Sequence, residues 1–179
     1  MFVDNMNKVI ACFKAVDFNF DFHKFEHRLI AQKVIFLLHL KGIGMGYQFG
    51  LYVRGPYSQT LASDYYAHSD QSKDLNTYSL LPSEEISIIK ELDSIFSRKA
   101  SLLEIGATYG YFAYHMRYDS TQALRLVKKM KSQYSDTQIA IGISKAKEFL
   151  FKVTEEDQNH LNGEIAPWRA VALQSFRGD

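Results

Sequence analysis

Apolar positions recur at two periods along the chain, and the switches between them mark its elements. Met6, Ile10, Phe13 and Val16 follow at steps of three and four, which predicts a helix over 5–16 with one apolar face. After a short aromatic and acidic connector, Ile30, Val34, Leu37 and Leu38 repeat the helical spacing. Ile35 and Phe36 widen that stripe, so the helix predicted from about residue 22 or 23 to residue 40 is central and mostly buried. Gly42 is placed to end it in a left-handed conformation. The period then falls to two. Tyr47, Phe49, Leu51 and Val53 alternate with Gln48, Gly50, Tyr52 and Arg54, the pattern of a strand with one buried face. Gly55-Pro56 is expected to stop this strand, because proline has no N–H for a ladder. Ser58 is expected to cap a helix over 59–68, with Leu61, Ala62, Tyr65 and Tyr66 on its inner face.

A polar stretch follows, and "TYSLL" at 77–81 reads as a short second strand that pairs with the first. Pro82-Ser83-Glu84-Glu85 opens the next helix, with acids where its dipole favours them and Ile86, Ile89, Leu92 and Phe96 on its apolar face. Further helices fit "SLLEIGATYGYFAYHMRY", "STQALRLVKKMKSQY" and "DTQIAIGISKAKEFLFKVT". The expected fold is mainly α (α+β). Residues 1–81 have a winged-helix-like layout with a short antiparallel ribbon, and residues 82–154 form a helical lobe. An acidic and apolar tail, 155–179, docks on the core through Trp168. The 179 residues make one compact domain.

Composition narrows the function classes. The 46% hydrophobic content is that of a globular protein, and the 24 Phe and Tyr residues serve either the core or a Tyr-rich binding face. A net charge of +1 argues against a protein built around duplex nucleic acid. A single cysteine, Cys12, excludes an intramolecular disulfide and a cysteine-based zinc cluster. It fits a cytoplasmic setting, as do the acidic start and the lack of a long apolar run.

Candidate chemistry is sparse. In "GIGMGYQFG" the glycines miss the G-x-G-x-x-G frame and follow a helix rather than a strand, so no nucleotide cofactor is expected. His23 and His27 share a helical spacing but lack a third ligand, and no metal is assigned. Ser58 sits at a turn with no inferable base, and its capping role accounts for it, so no catalytic residue is assigned. Arg125, Lys128 and Lys129 share one helix face, with Lys131 beyond them, as a candidate contact for phosphate or an acidic partner. The helix predicted over 59–68 carries no Lys or Arg, unlike a helix that reads a major groove. Arg54 and Tyr57 are the part of "RGPYS" that turn chemistry leaves unexplained.

One resemblance joins several of these elements. Gln32 to Leu38 match the amphipathic "LQKLVYLL" helix of YwgA-like proteins and of SocA-like (Panacea) antitoxin domains. Gly55, Pro56, Tyr57, Ser58 and Leu61 match the "GPYS" element that follows in those proteins. Glu104, Ala107, Thr108 and Tyr111 resemble a later segment, as does the stretch from Leu126 to Leu150. The chain departs from the pattern at Ser132, where relatives have proline after the lysine. The resemblance implies a non-enzymatic module that holds a partner protein, such as a toxin encoded nearby or a protein destined for proteolysis. Arg54, Tyr57 and Tyr65 are its candidate contacts, and Gly55, Pro56 and Ser58 are structural. The alternatives are a winged-helix nucleic-acid binder using Arg125, Lys128 and Lys129, and a small enzyme with a site near Arg54, Tyr57 and Ser58.

Overall fold

The long apolar stripes dictate a core made by helices. The computed structural model describes residues 2–67, 81–151, 159 and 163. Its elements in chain order are α1 (Phe2–Lys14), α2 (Phe25–Leu40), β1 (Gly50–Tyr52), β2 (Gly55–Tyr57), α3 (Gln59–Ala67), α4 (Ser83–Phe96), α5 (Ala100–Gly110), α6 (Ser120–Met130) and α7 (Asp136–Leu150). A π-helical turn, Tyr111–His115, prolongs α5. Among the described residues the chain is mainly helical with one small antiparallel ribbon, as its periodicity predicts. The expected strand at 77–81 falls largely outside the described residues, and so does Trp168.

α5 is the axis of the molecule. Every residue from Leu102 to Gly110 is buried, which follows from a segment that is apolar on all sides. It packs on α7 through two glycines. A Cβ on Gly142 would lie 2.7 Å from the Ile105 Cβ, and one on Gly106 would lie 3.0 Å from the Gly142 carbonyl oxygen. The absence of those two side chains lets the helix backbones close on each other. α2 covers another side of α5 and buries eight of its own residues, Gln32 and Lys33 among them.

The helix ends follow their sequence signals. Past α2, the Gly42 N–H donates to the His39 carbonyl and the Ile43 N–H to the Leu38 carbonyl, with Gly42 at φ +102°. This pair of bonds is a Schellman closure and needs a residue that tolerates positive φ. The Asp119 side chain caps α6, and Ser135 with Gln138 forms a capping box on α7.

The ribbon differs from the expectation in two ways. The strand predicted over 47–53 is paired only at Gly50–Tyr52, and Val53 is 87% exposed at the turn instead of buried. Gly55-Pro56 does not end the sheet but forms the second strand, with Leu51 opposite Pro56 and Tyr52 opposite Gly55. In a two-stranded ribbon every strand is an edge strand, so a proline without an N–H is tolerated there. Gly55, at φ +88°, turns the chain tightly enough for the two strands to pair directly. Among the described residues no helix is long and apolar enough to cross a membrane.

Candidate docking groove

The segment from Val53 to Ser58 is held from beneath by buried polar side chains of three other elements. From α2, the Gln32 amide bonds both backbone groups of Ser58: its Nε2 donates to the carbonyl at 3.0 Å, and its Oε1 accepts from the N–H at 2.8 Å. The adjacent Lys33 Nζ donates to the Pro56 carbonyl at 2.6 Å. Just past α6, the Lys131 Nζ donates to the Val53 carbonyl at 3.0 Å and to Glu104 Oε1 of α5 at 2.7 Å. Ser58 caps α3 as its position predicts, with its Oγ accepting from the Leu61 N–H at 3.3 Å. Gln32, Lys33, Ser58, Glu104 and Lys131 are all buried. Carbonyls that a ribbon this short leaves unpaired thus receive side-chain donors, which meets the demand that buried polar groups be bonded.

The cluster holds more positive than negative charge. Glu104 is the one acid, and around it stand Lys131, Lys33 and the Arg54 guanidinium, whose Nη1 lies 3.4 Å from Glu104 Oε2. The Tyr134 hydroxyl donates to the same oxygen at 3.4 Å. Burial lowers the Lys33 amine from its ordinary 10.5 to about 7, and Lys131 and Arg54 push the same way against the pull of Glu104. Burial also lowers Lys131. A neutral amine still donates a hydrogen bond, so the Pro56 contact survives loss of the Lys33 proton.

This shift sets a pH dependence. Between about 7 and 10.5 the unfolded chain keeps the Lys33 proton that the folded chain has released. Stability therefore rises with pH from neutrality, by up to about 1.4 kcal/mol per pH unit for that one proton. The gain is lost as pH falls through about 7. Lys131 acts in the same sense. Cys12 opposes it at higher pH, because burial raises its thiol from 9.0 to about 12 and the unfolded thiol ionises first. Urea unfolding between about pH 6 and about pH 9 should show the rise in the wild type and a slope lower by about one proton in Lys33→Met. Equal slopes in the two proteins would refute the assignment.

The outer side of the same segment lines a groove of about 370 Å³. Of its twelve lining residues five are aromatic, three are basic and none is acidic. Phe25, at the start of α2, carries two guanidinium groups, with Arg28 at 5.7 Å and Arg54 at 5.2 Å from its ring centroid. Tyr52 and Tyr57 meet edge to face at 5.2 Å across the ribbon. Phe25, Tyr52, Val53 and Tyr66 are exposed large apolar side chains gathered on this one face. The groove is polar at one margin, aromatic along its walls, and backed by a fixed hydrogen-bonded floor.

The sequence candidates divide between this face and another. Arg54, Tyr57 and Tyr65 all line the groove: Arg54 is exposed, Tyr57 is half-buried, and Tyr65 is a floor residue with 3% exposure. Gly55 and Pro56 are buried beneath it, and Ser58 is wholly buried at its cap. Arg125, Lys128 and Lys129 are exposed on α6, where Lys128 pairs with Asp136 at 3.0 Å. Lys131 does not extend that basic face but turns inward to Glu104. Near His23, the Asp21 N–H donates to His27 Nδ1 at 3.0 Å, and no group of three or more metal-ligating side chains occurs among the described residues. Sequence reading gave Phe25, Arg28 and Glu104 no role in a site. For Glu104 a signal was present: a lone acid inside "SLLEIGA", on a helix apolar all round, requires a buried partner.

No protein-family model matches the chain, and no curated protein or solved structure shows a significant match to it.

Proposed function

We propose that the chain is a non-enzymatic protein-binding module, antitoxin-like or adaptor-like, that docks its partner at the groove between α2, the ribbon and α3. The observation that carries this is the gathering of exposed Phe25, Tyr52 and Tyr66 with Arg28 and Arg54 on one rigid face. Aromatic residues and arginine dominate binding energy at protein interfaces, and a prefixed surface spends little entropy on docking. The buried clamp from Gln32, Lys33 and Lys131 supplies that rigidity. The resemblance in "QKVIFLL" and "GPYS" supports the same reading, since its two motifs are the two partners of the clamp.

The test is affinity purification of the tagged chain from cells that make it naturally. A discrete protein should co-purify with the wild type and with Arg125→Glu/Lys129→Glu. Tyr52→Ser/Tyr66→Ser should lose it by at least about tenfold, as expected when interface anchors are truncated. Retention by the groove variant, or no discrete protein with the wild type, would overturn the proposal. So would nucleic acid that leaves with the α6 charges.

A further inference from the structure

We infer that the segment of the partner held in the groove presents an acidic side chain next to an aromatic or large aliphatic one, the carboxylate taken up by the guanidinium groups of Arg28 and Arg54 at the Phe25 end of the groove. This deepens the docking reading and rests on it.

The charge of the groove favours an acidic side chain. Arg28 and Arg54 line the groove and no acid does, while Lys33 beneath them is a buried donor to the Pro56 carbonyl. The nearest buried acid, Glu104, is committed to Lys131 at 2.7 Å and reaches Arg54 only at 3.4 Å. An incoming carboxylate therefore finds cations that the fold itself has left under-neutralised.

Both arginines also keep donors for a ligand. Arg28 Nη1 is used by the Phe22 and His23 carbonyls at 2.6 and 3.0 Å, which fixes the guanidinium in place. Its Nε and Nη2 have no hydrogen-bond partner among the described residues. Arg54 uses only Nη1, at a long distance. Both guanidinium groups lie within 6 Å of the Phe25 ring centroid, at 5.7 and 5.2 Å, so both border the Phe25 end of the groove. Guanidinium forks match a carboxylate bidentately. Capture of a chain terminus relies instead on a nest of backbone N–H groups, so an internal Asp or Glu is the better fit. The aromatic walls argue the second half: Tyr52, Tyr57 and Tyr66 offer ring faces and edges beside the cations, which suits a neighbouring aromatic or aliphatic side chain.

Phage display of random internal dodecapeptides against the full chain tests this. Enriched peptides should carry Asp or Glu within two positions of an aromatic or large aliphatic residue. A fluorescent synthetic peptide from the enriched set should bind at least about tenfold more weakly to Arg54→Gln and to Arg28→Gln, and as tightly to Lys129→Gln. Replacing its acid by Gln or Asn should cost as much as losing either arginine. Tyr66→Ser, at an exposed rim position, gives a second loss if an arginine variant fails to fold. Enriched peptides without acids, or binding indifferent to both arginines and to Tyr66, would overturn the inference. Tighter binding of a fluorescent dT20 oligonucleotide than of any peptide, lost with the same arginines, would also overturn it. Failure here with groove-dependent co-purification intact would strike the acidic segment alone. Co-purification that ignores the groove would strike the docking reading itself.

Discussion

Glu104→Leu is expected to destabilise the fold by about 3–5 kcal/mol, the usual loss when one partner of a buried ion pair is removed. Glu104 and Lys131 are both fully buried, and their 2.7 Å contact is the shortest ion pair among the described residues. Without the carboxylate, Lys131 is left in the core with the Val53 carbonyl as its remaining partner, while Arg54 and Tyr134 lose theirs. The loss should be read as a shift of the urea midpoint at unchanged m-value. Glu104→Leu/Lys131→Met should recover a substantial part of it, because an apolar pair of similar volume often replaces a buried ion pair at no net cost. The unrecovered part should be about 1–3 kcal/mol, the cost of the Val53 carbonyl left without its donor. A single-variant loss below about 1 kcal/mol would show that the pair is solvated, and a double variant no better than the single would remove the charge argument.

Gly55→Ala is expected to cost about 2–5 kcal/mol, the sum of a left-handed conformation forced on a residue with a Cβ and of overpacking. Gly55 stands at φ +88°, and an added Cβ would lie 2.4 Å from Thr108 Oγ1. Thr108 cannot swing aside freely, because that oxygen donates to the Glu104 carbonyl at 2.7 Å. The two contributions separate in a double-mutant cycle. In a Thr108→Ala background the substitution should cost only the conformational part, about 1–2 kcal/mol. The same cost in both backgrounds would show that the ribbon does not press on α5. Because Gly55 sets the turn that presents Arg54, the variant should also weaken partner binding more than its stability loss explains.

The helices were legible because their apolar residues repeat at helical spacing over long stretches, and the caps at Ser58 and Gly42 have sequence signatures. The ribbon was only half legible. Alternation marked residues 47–53, but whether Gly55-Pro56 ends a strand or turns into one depends on donors that come from 23 to 78 positions away in sequence. For the groove, Arg54 and Tyr57 stood out because turn chemistry did not absorb them, whereas Tyr65 was read on the inner face of its helix. Phe25 and Arg28 did not, since at the start of a helix they resemble any solvated first turn. Lys131 was misread because it follows three exposed basic residues of α6, and nothing in that run shows that the helix ends and the lysine turns inward. Glu104 and Lys33 show the more useful rule. A charge inside an all-apolar helix implies a partner, and here the two share one cluster.

A partner protein that docks on the face formed by α2, the ribbon and α3 should be trapped there by photocrosslinking in cells. Benzoylphenylalanine would replace Tyr66, exposed at the groove rim, and in a separate protein Ile141, exposed on α7. One discrete crosslinked protein is expected from position 66, lost when Arg54→Gln is added, and none from position 141. No crosslink at 66, or the same product from both positions, would contradict it.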